Sequence, residues 1–429
     1  MLTKFQKVVE RAKRDPNARF NSLAHLIDVN TLRTAFRGLG PGAAAGVDGV
    51  SKAAYAVNLE ANLEALHARL KAGTYRHREI LRVEIPKGKG KTRPIGISCV
   101  EDKIVQGALK AVLEAIYEQD FVPGSYGFRP GRSAHDAIRE VDRMVYRDRI
   151  RWIVEADIRS FFDTIDRRHL RGMLSIRVAD GAIMRLLGKC LQAGVLDGEV
   201  FTRPEEGTAQ GSIISPLLGN VYLHYALDQW FEQVVRPRLR GNARLIRYAD
   251  DFILGFERKE EAEKVMAVLH KRMAKLGLAL HPDKTRLVDL RRPRLAKKSG
   301  KGSDSLVFLG FTIFWKRTHR GTTTLRMKTR KASFQRAIKA LGDYCRRHRH
   351  RPLEEQHAAL RSRLLGHYAY FGVTGNQRCL GALLYFATRI WHKWLRRRGQ
   401  RKPITWERFT KYLEKFPLPQ PRIHVQLWG

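Results

Sequence analysis

Two adjacent aspartates, Asp250 and Asp251, lie in RYADDFILGF, residues 247–256, between two apolar runs. The runs have the length and composition of strands, so the pair falls on a tight connection between them. Neighbouring carboxylates on a hairpin tip repel each other unless cations neutralise them. Two divalent cations would do so and would also polarise a phosphate. A plain Asp-Asp turn accounts for the same residues, and so short a motif recurs by chance. A second acidic segment shifts the balance. WIVEADIRSFFDTID, residues 152–166, runs apolar along a strand and delivers Asp157 near its end. There it can share ions with a neighbouring hairpin, and Mg²⁺ favours one or two carboxylates plus substrate phosphates. Asp163 and Asp166 follow at spacings that fit capping or surface roles.

Two further segments suit phosphate-bearing ligands. In GTAQGSIISPLLGN, residues 207–220, Gln210 and Gly211 form a small-residue turn that a ligand can approach closely. Ser215-Pro216 then opens a helix; an ordinary loop-to-helix boundary would look the same. IPKGKGKTRPIG, residues 85–96, superficially resembles a phosphate loop. The Walker pattern fails, because Ile85 stands where its first glycine is required. What remains is a basic, Gly-rich turn carrying Lys87, Lys89, Lys91 and Arg93, suited to a triphosphate or a nucleic-acid backbone.

The elements that must position these residues follow from periodicity. Apolar spacing predicts helices over 55–71, 101–118 and 257–276. It predicts strands over 81–85, 152–157, 244–248 and 252–256, giving an α/β or α+β domain that ends near residue 316. Residues 291–303 form an exposed basic loop. Beyond about 325 the chain turns helical, and WHKWLRRRGQRK, residues 391–402, holds six Lys or Arg and no acid. Trp391, Trp394 and Leu395 fall at helical spacing within it. The Pro-rich end is extended.

Composition bounds the class. The 429 residues carry 81 Lys and Arg against 42 Asp and Glu, a net charge of +39. Such a field collects polyanions, nucleic acid foremost and a membrane surface as the weaker rival. The chain has no apolar run of membrane-spanning length. MLTKFQKVVERAKRD lacks the apolar core of a secretory signal. Cys99, Cys190, Cys345 and Cys379 are too scattered for zinc or a disulfide framework, which fits a reducing, cytoplasmic setting.

Taken in order, the blocks AAAGVDGVS (43–51), IPKGKGKTRPIGI, SYGFRPGRSAHDAI (125–138), EADIRSFFDTID, GTAQGSIISPLLGN, RYADDFILGF, LGLALHPDKTR (276–286) and FLGF (308–311) resemble the reverse transcriptases encoded by bacterial group II introns. GHYAYFGVTGN (366–376) and the basic helix after it look like that family's thumb, or maturase, region. The resemblance implies an α+β right-hand polymerase fold: fingers, a palm whose antiparallel sheet carries the catalytic aspartates, and a helical thumb. The expected divisions are 1–75 for an N-terminal extension and the start of the fingers, 76–316 for fingers and palm, 317–405 for the thumb, and 406–429 for a tail. The family match makes Asp157, Asp250 and Asp251 the catalytic, metal-binding triad. They would hold two Mg²⁺ ions, with Mn²⁺ as the alternative. It makes Phe162 a steric gate against ribonucleotides, places Lys91 and Arg93 on the triphosphate, and sets Gln210 and Gly211 against nucleotide and template. Lys87, Lys284, Lys393, Arg396, Arg397 and Arg398 would contact nucleic acid.

The implied activity is RNA-directed DNA synthesis from a primer 3′-OH on an RNA template with dNTPs, joined to binding of the parent intron RNA in splicing and mobility. The alternatives are an RNA-binding maturase without synthesis, or a domesticated reverse transcriptase in phage defence or CRISPR adaptation. The chain departs from the commoner GTPQGG by reading GTAQGS. It ends at Gly429 without the paired cysteines and histidines of an HNH endonuclease, so no DNA cleavage of its own is expected.

Overall fold

The computed structural model describes residues 2–88, 91–197, 200–202, 207, 211–293, 304–319, 321–399 and 404–427. Among them are eleven strands: β1 (Ile80–Gly88), β2 (Lys91–Ile97), β3 (Trp152–Asp157), β4 (Val195–Asp197), β5 (Val200–Thr202), β6 (Ala243–Tyr248), β7 (Asp251–Phe256), β8 (Arg286–Asp289), β9 (Leu306–Phe308), β10 (Phe311–Arg317) and β11 (Thr323–Thr329). They form three sheets, ordered β2-β1-β4-β5, β6-β7-β3-β8 and β11-β10-β9. Helices surround them, so the architecture is mixed α and β.

The middle sheet is antiparallel throughout. Its central strands are the apolar runs WIVEAD and DFILGF, and Ile153, Val154, Phe252, Ile253 and Leu254 are fully buried. A strand covered on both faces needs this near-continuous apolar character. The helix Val100–Asp120 is the spine of the N-terminal half. Val105, Leu109, Val112 and Ile116 supply its buried stripe. Asp102, in its first turn, is buried and accepts from the Tyr75 hydroxyl at 2.5 Å. Asp166 does act as a cap, accepting from Arg168 N and His169 N ahead of the helix Arg167–Arg177.

The predicted helix over 55–71 is two helices, Lys52–Ala56 and Leu59–Lys71. Asn58 leaves the helical region at φ −117° and ψ 43°, as residues that start helices do. The expected division at 316/317 falls inside a hairpin, since β10 and β11 pair from Phe311↔Thr329 to Arg317↔Thr323. Helices begin only at Lys331 and run over Lys331–Arg347, Leu353–Phe371, Gln377–Leu395 and Trp406–Lys415. The last lies in the expected tail, yet it is capped by Thr405 and buries Phe409 against Trp391. Most of the predicted basic loop, 294–303, lies outside the described residues. All four cysteines are free, with Cys99 and Cys345 buried.

One half-buried acid is a liability. Asp142, on the helix Ala134–Tyr146, has a buried carboxyl oxygen with no hydrogen-bond partner, and burial pushes its pKa up to about 6. A raised folded-state pKa means the acid is tolerated when protonated, and stability falls as pH rises through about 6. Asp142→Asn should therefore stabilise the protein by about 1–2 kcal/mol at pH 7–8, allowing for partial contact with water, and by nothing below pH 4. Denaturant melts at the two pH values check it; equal effects at both would contradict the assignment.

Candidate active site

The register of the middle sheet sets Asp157 directly opposite Asp251 across β3 and β7. Residues opposed in this way project from the same face, a few ångströms apart. The partner hairpin pairs Tyr248 with Asp251, leaving Ala249 and Asp250 as a two-residue turn. Ala249 holds φ +56°, a left-handed conformation that non-glycine residues rarely adopt. Three aspartates thus lie at one end of two apolar strands.

Their electrostatics show the strain. Burial, then repulsion from Asp157, pushes Asp251 up to about 7, opposed by a hydrogen bond from the Leu309 backbone N–H. Asp250 is also raised, first by burial and then by Asp157; its own backbone N–H, Arg93 and Lys284 pull the other way. The Lys284 ammonium sits directly on Asp157 Oδ2. It is delivered by the 279–281 segment, where His281 N donates to Asp157 O and Arg159 N donates to Ala279 O, both at 2.8 Å. Buried carboxylate oxygens of this kind suit Mg²⁺ or Mn²⁺, hard ions that take oxygen donors. Among the described residues no three acidic, His or Cys side chains are placed to hold a metal ion. Lys284 neutralises Asp157 here.

Other predicted residues fall around this centre. Phe162 lies in the turn Phe161–Asp163 after β3, half-buried against Phe161 with ring centroids 5.2 Å apart. Gly211 holds φ +108°, and a Cβ there would lie 2.5 Å from Gly96 O on β2. The next residues are pinned by Gln106, whose Oε1 accepts from Ser212 Oγ at 2.9 Å and Ile213 N at 3.0 Å. Ser212 is one of the departures from the commoner block, and here its hydroxyl has a partner. Arg93 sits on β2 within electrostatic reach of Asp250. Gln210 lies outside the described residues, as do the side chains of Lys87 and Lys91.

The basic C-terminal segment lies away from the carboxylates. Lys393 and Arg397 flank the Trp394 ring, at 5.8 and 5.2 Å from its centroid. With Arg389, His392, Arg396 and Trp406 they line an open basic cup. Arg398 points elsewhere and donates to the Arg349 and Arg351 carbonyls. Trp391 is not on this surface. It is fully buried and donates to Gln356 Oε1 at 3.1 Å.

Sequence reasoning missed the support beneath the hairpin. Arg247 is fully buried on β6. Its guanidinium forks onto Asp228 at 2.8 and 2.6 Å and reaches Asn220 Oδ1 and Ser125 Oγ, each at 2.8 Å. It also donates to Ala249 O at 3.1 Å, in the strained turn itself. A fixed fork with five donors is the one side chain that can satisfy all these acceptors. The available signal was a charged residue in RLIRY, with Asn220 and Asp228 in an otherwise apolar run.

Comparison with known proteins adds the lineage. The profile of the family "Reverse transcriptase (RNA-dependent DNA polymerase)" matches residues 85–313. Protein YkfC of Escherichia coli (strain K12) is 36% identical over 309 residues, covering 64% of this chain and 77% of its own length. Group II intron-encoded protein LtrA of Lactococcus lactis subsp. cremoris is 39% identical over 176 residues, 41% of this chain and 29% of LtrA. A 91 kDa protein in the cob intron of Schizosaccharomyces pombe is 42% identical over 153 residues, 36% of this chain and 19% of that protein. The chain therefore spans less than a third of either intron-encoded relative. It belongs to the reverse transcriptase family and over part of its length is similar to intron-encoded members of it.

Proposed function

We propose that the protein is an RNA-directed DNA polymerase that extends a primer 3′-OH on an RNA template. The observation that carries this reading is the pairing of Asp157 with Asp251, with Asp250 beside them on the hairpin. In this reading the middle sheet is the palm of a right hand, the β1–β2 hairpin belongs to the fingers, and the helices from Lys331 onward form the thumb. Asp157, Asp250 and Asp251 would hold two Mg²⁺ ions, which supply charge compensation for in-line displacement at the dNTP α-phosphate. The protein's part is positioning and fixed charge, and no covalent nucleophile is needed. Arg93 and Lys91 bind the triphosphate. Phe162 lies under the sugar and excludes a 2′-hydroxyl by shape. Gly211, packed against β2, and Gln210 contact the nucleotide and template. Lys284, which pairs with Asp157 here, would be free to pair with a substrate phosphate where Asp157 held an ion. The test is extension of a DNA primer annealed to RNA by purified protein with Mg²⁺ and dNTPs. Lengthened products support the reading; their absence with every divalent ion overturns it.

A second role accompanies the first: binding of intron RNA to assist splicing. It is favoured by the net charge of +39 and by the basic cup lined by Lys393, Arg396, Arg397 and Trp406. Structured RNA is held mostly through backbone contacts, and loops by stacking. Replacing Lys393, Arg396 and Arg397 together by Ala should weaken intron-RNA binding at least tenfold and flatten its salt dependence, since up to three phosphate contacts are lost. Single-turnover extension on a pre-bound primer–template should be unchanged. Unaltered RNA affinity would remove this surface from the account.

A further inference from the structure

Phe128 is a large apolar side chain left exposed beside the Asp250–Asp251 hairpin. It is 51% exposed and holds φ +57°, a left-handed backbone that an aromatic residue adopts only under constraint. The constraint is visible on both sides. Before it, Tyr126 N donates to Arg247 O and Arg247 N donates to Gly124 O, both at 2.8 Å. Gly127 O accepts from Asn220 Nδ2 at 2.7 Å, and a Cβ on Gly127 would lie 2.3 Å from Ala249 N. After it, Arg129 is locked onto Glu118, Val122 O and Ser125 O. The loop is therefore wedged against the Ala249–Asp250 turn, and between the exposed Pro123 and Pro130 it leaves an aromatic ring in water. That ring lies 6.4 Å from Tyr248, three residues ahead of Asp251.

A fold gains nothing for itself from a strained, exposed phenyl ring. The same ring is useful to a flat aromatic ligand, and every nucleobase has such a face. We infer that Phe128, together with Tyr248, forms a stacking platform for a nucleobase of the primer–template beside the Asp250–Asp251 hairpin. The inference rests on the nucleic-acid substrate proposed above, and it assigns Phe128 a binding role with no part in the chemical step. The rigid loop sets where the base lies, so the ring places a primer-terminal or templating nucleotide relative to the carboxylates.

The test uses the full-length protein and a primer–template carrying 2-aminopurine, in one arm at the primer 3′ end and in the other at the opposing template base. Stacking on Phe128 should quench the probe on binding in one of the two arms, which identifies the base. Phe128→Ala should remove that quenching and raise the dissociation constant roughly 5- to 150-fold, the range for one lost base–aromatic stack. Phe128→Trp should keep both. Phe128→Gly separates ligand binding from folding. Glycine accepts φ +57° without strain, so this variant should melt no lower than wild type and still lose affinity and quenching. Equal affinity and quenching in wild type, Phe128→Ala and Phe128→Gly would overturn the inference. So would a lowered melting temperature in Phe128→Gly that tracks the loss of binding. Both readouts precede chemistry. A protein that binds and quenches but never extends the primer defeats the polymerase reading alone; one that extends the primer while Phe128→Ala leaves affinity and quenching unchanged defeats the stacking inference alone.

Discussion

Asp250→Asn should lower single-turnover extension about a thousandfold while leaving primer–template affinity within a few fold. The change removes one charge and almost no volume, so packing is preserved. A thousandfold corresponds to about 4 kcal/mol of transition-state stabilisation, in the range of a lost metal contact. Folding should not suffer. Asp250 is raised by burial and by Asp157, so above its raised pKa the ionised carboxylate is a cost to the folded state in the metal-free protein. The neutral amide relieves that cost, and the variant should melt at or above the wild-type temperature at pH 7. This is the pattern of a functional group kept against stability. Quench-flow incorporation of one nucleotide and a thermal melt give the two readouts. A variant that extends normally, or fails because it has unfolded, contradicts the assignment.

Arg247→Leu should be the most destabilising single change near the site. It leaves Asp228 fully buried without its partner, and uncompensated buried charges cost about 3–5 kcal/mol. At roughly 2–4 °C per kcal/mol the melting temperature should fall by about 10 °C. Extension should fall as well, because the strained Ala249 carbonyl loses its donor and the turn carrying Asp250 loosens. The double variant Arg247→Leu/Asp228→Leu separates the two effects. Replacing a buried pair by apolar side chains is often neutral or stabilising. The double variant should therefore recover much of the melting temperature and recover little activity. Full recovery of extension would mean that Arg247 serves folding only and does not position the hairpin.

The sequence made the carboxylate strands legible because their signal is local. WIVEAD and FILGF are apolar runs bounded by a charged turn, and β3 and β7 begin or end within a residue of where that pattern places them. The helices over 101–118 and 257–276 were legible for the same reason, with the observed Val100–Asp120 and Lys259–Ala274 differing only at their ends. What pairs with what was not legible. The opposition of Asp157 to Asp251 depends on a register between strands almost a hundred residues apart, and periodicity carries no register. The Arg247 cluster was hidden for a related reason: its partners Ser125, Asn220 and Asp228 come from other segments, and each alone is an ordinary polar residue. Trp391 shows the opposite error. It stands among basic residues expected to contact nucleic acid, whereas its helical spacing with Leu395 puts both on the apolar stripe, and both are buried. The hairpin across 316/317 carried a signal that went unread: TTLRMKT alternates Leu325 and Met327 with Arg326 and Lys328, and burial alternates with it.

The account stands on three aspartates acting as one metal-holding centre. The direct measurement is Mn²⁺ binding, followed by electron paramagnetic resonance, to the protein held with a chain-terminated primer, RNA template and the next dNTP. The wild type should bind two ions per chain. Asp157→Asn and Asp251→Asn should each lose at least one, and Lys284→Ala should bind them at lower Mn²⁺ concentration, because the ammonium no longer competes for Asp157. Mn²⁺ binding that is the same in the wild type and both aspartate variants would contradict the claim.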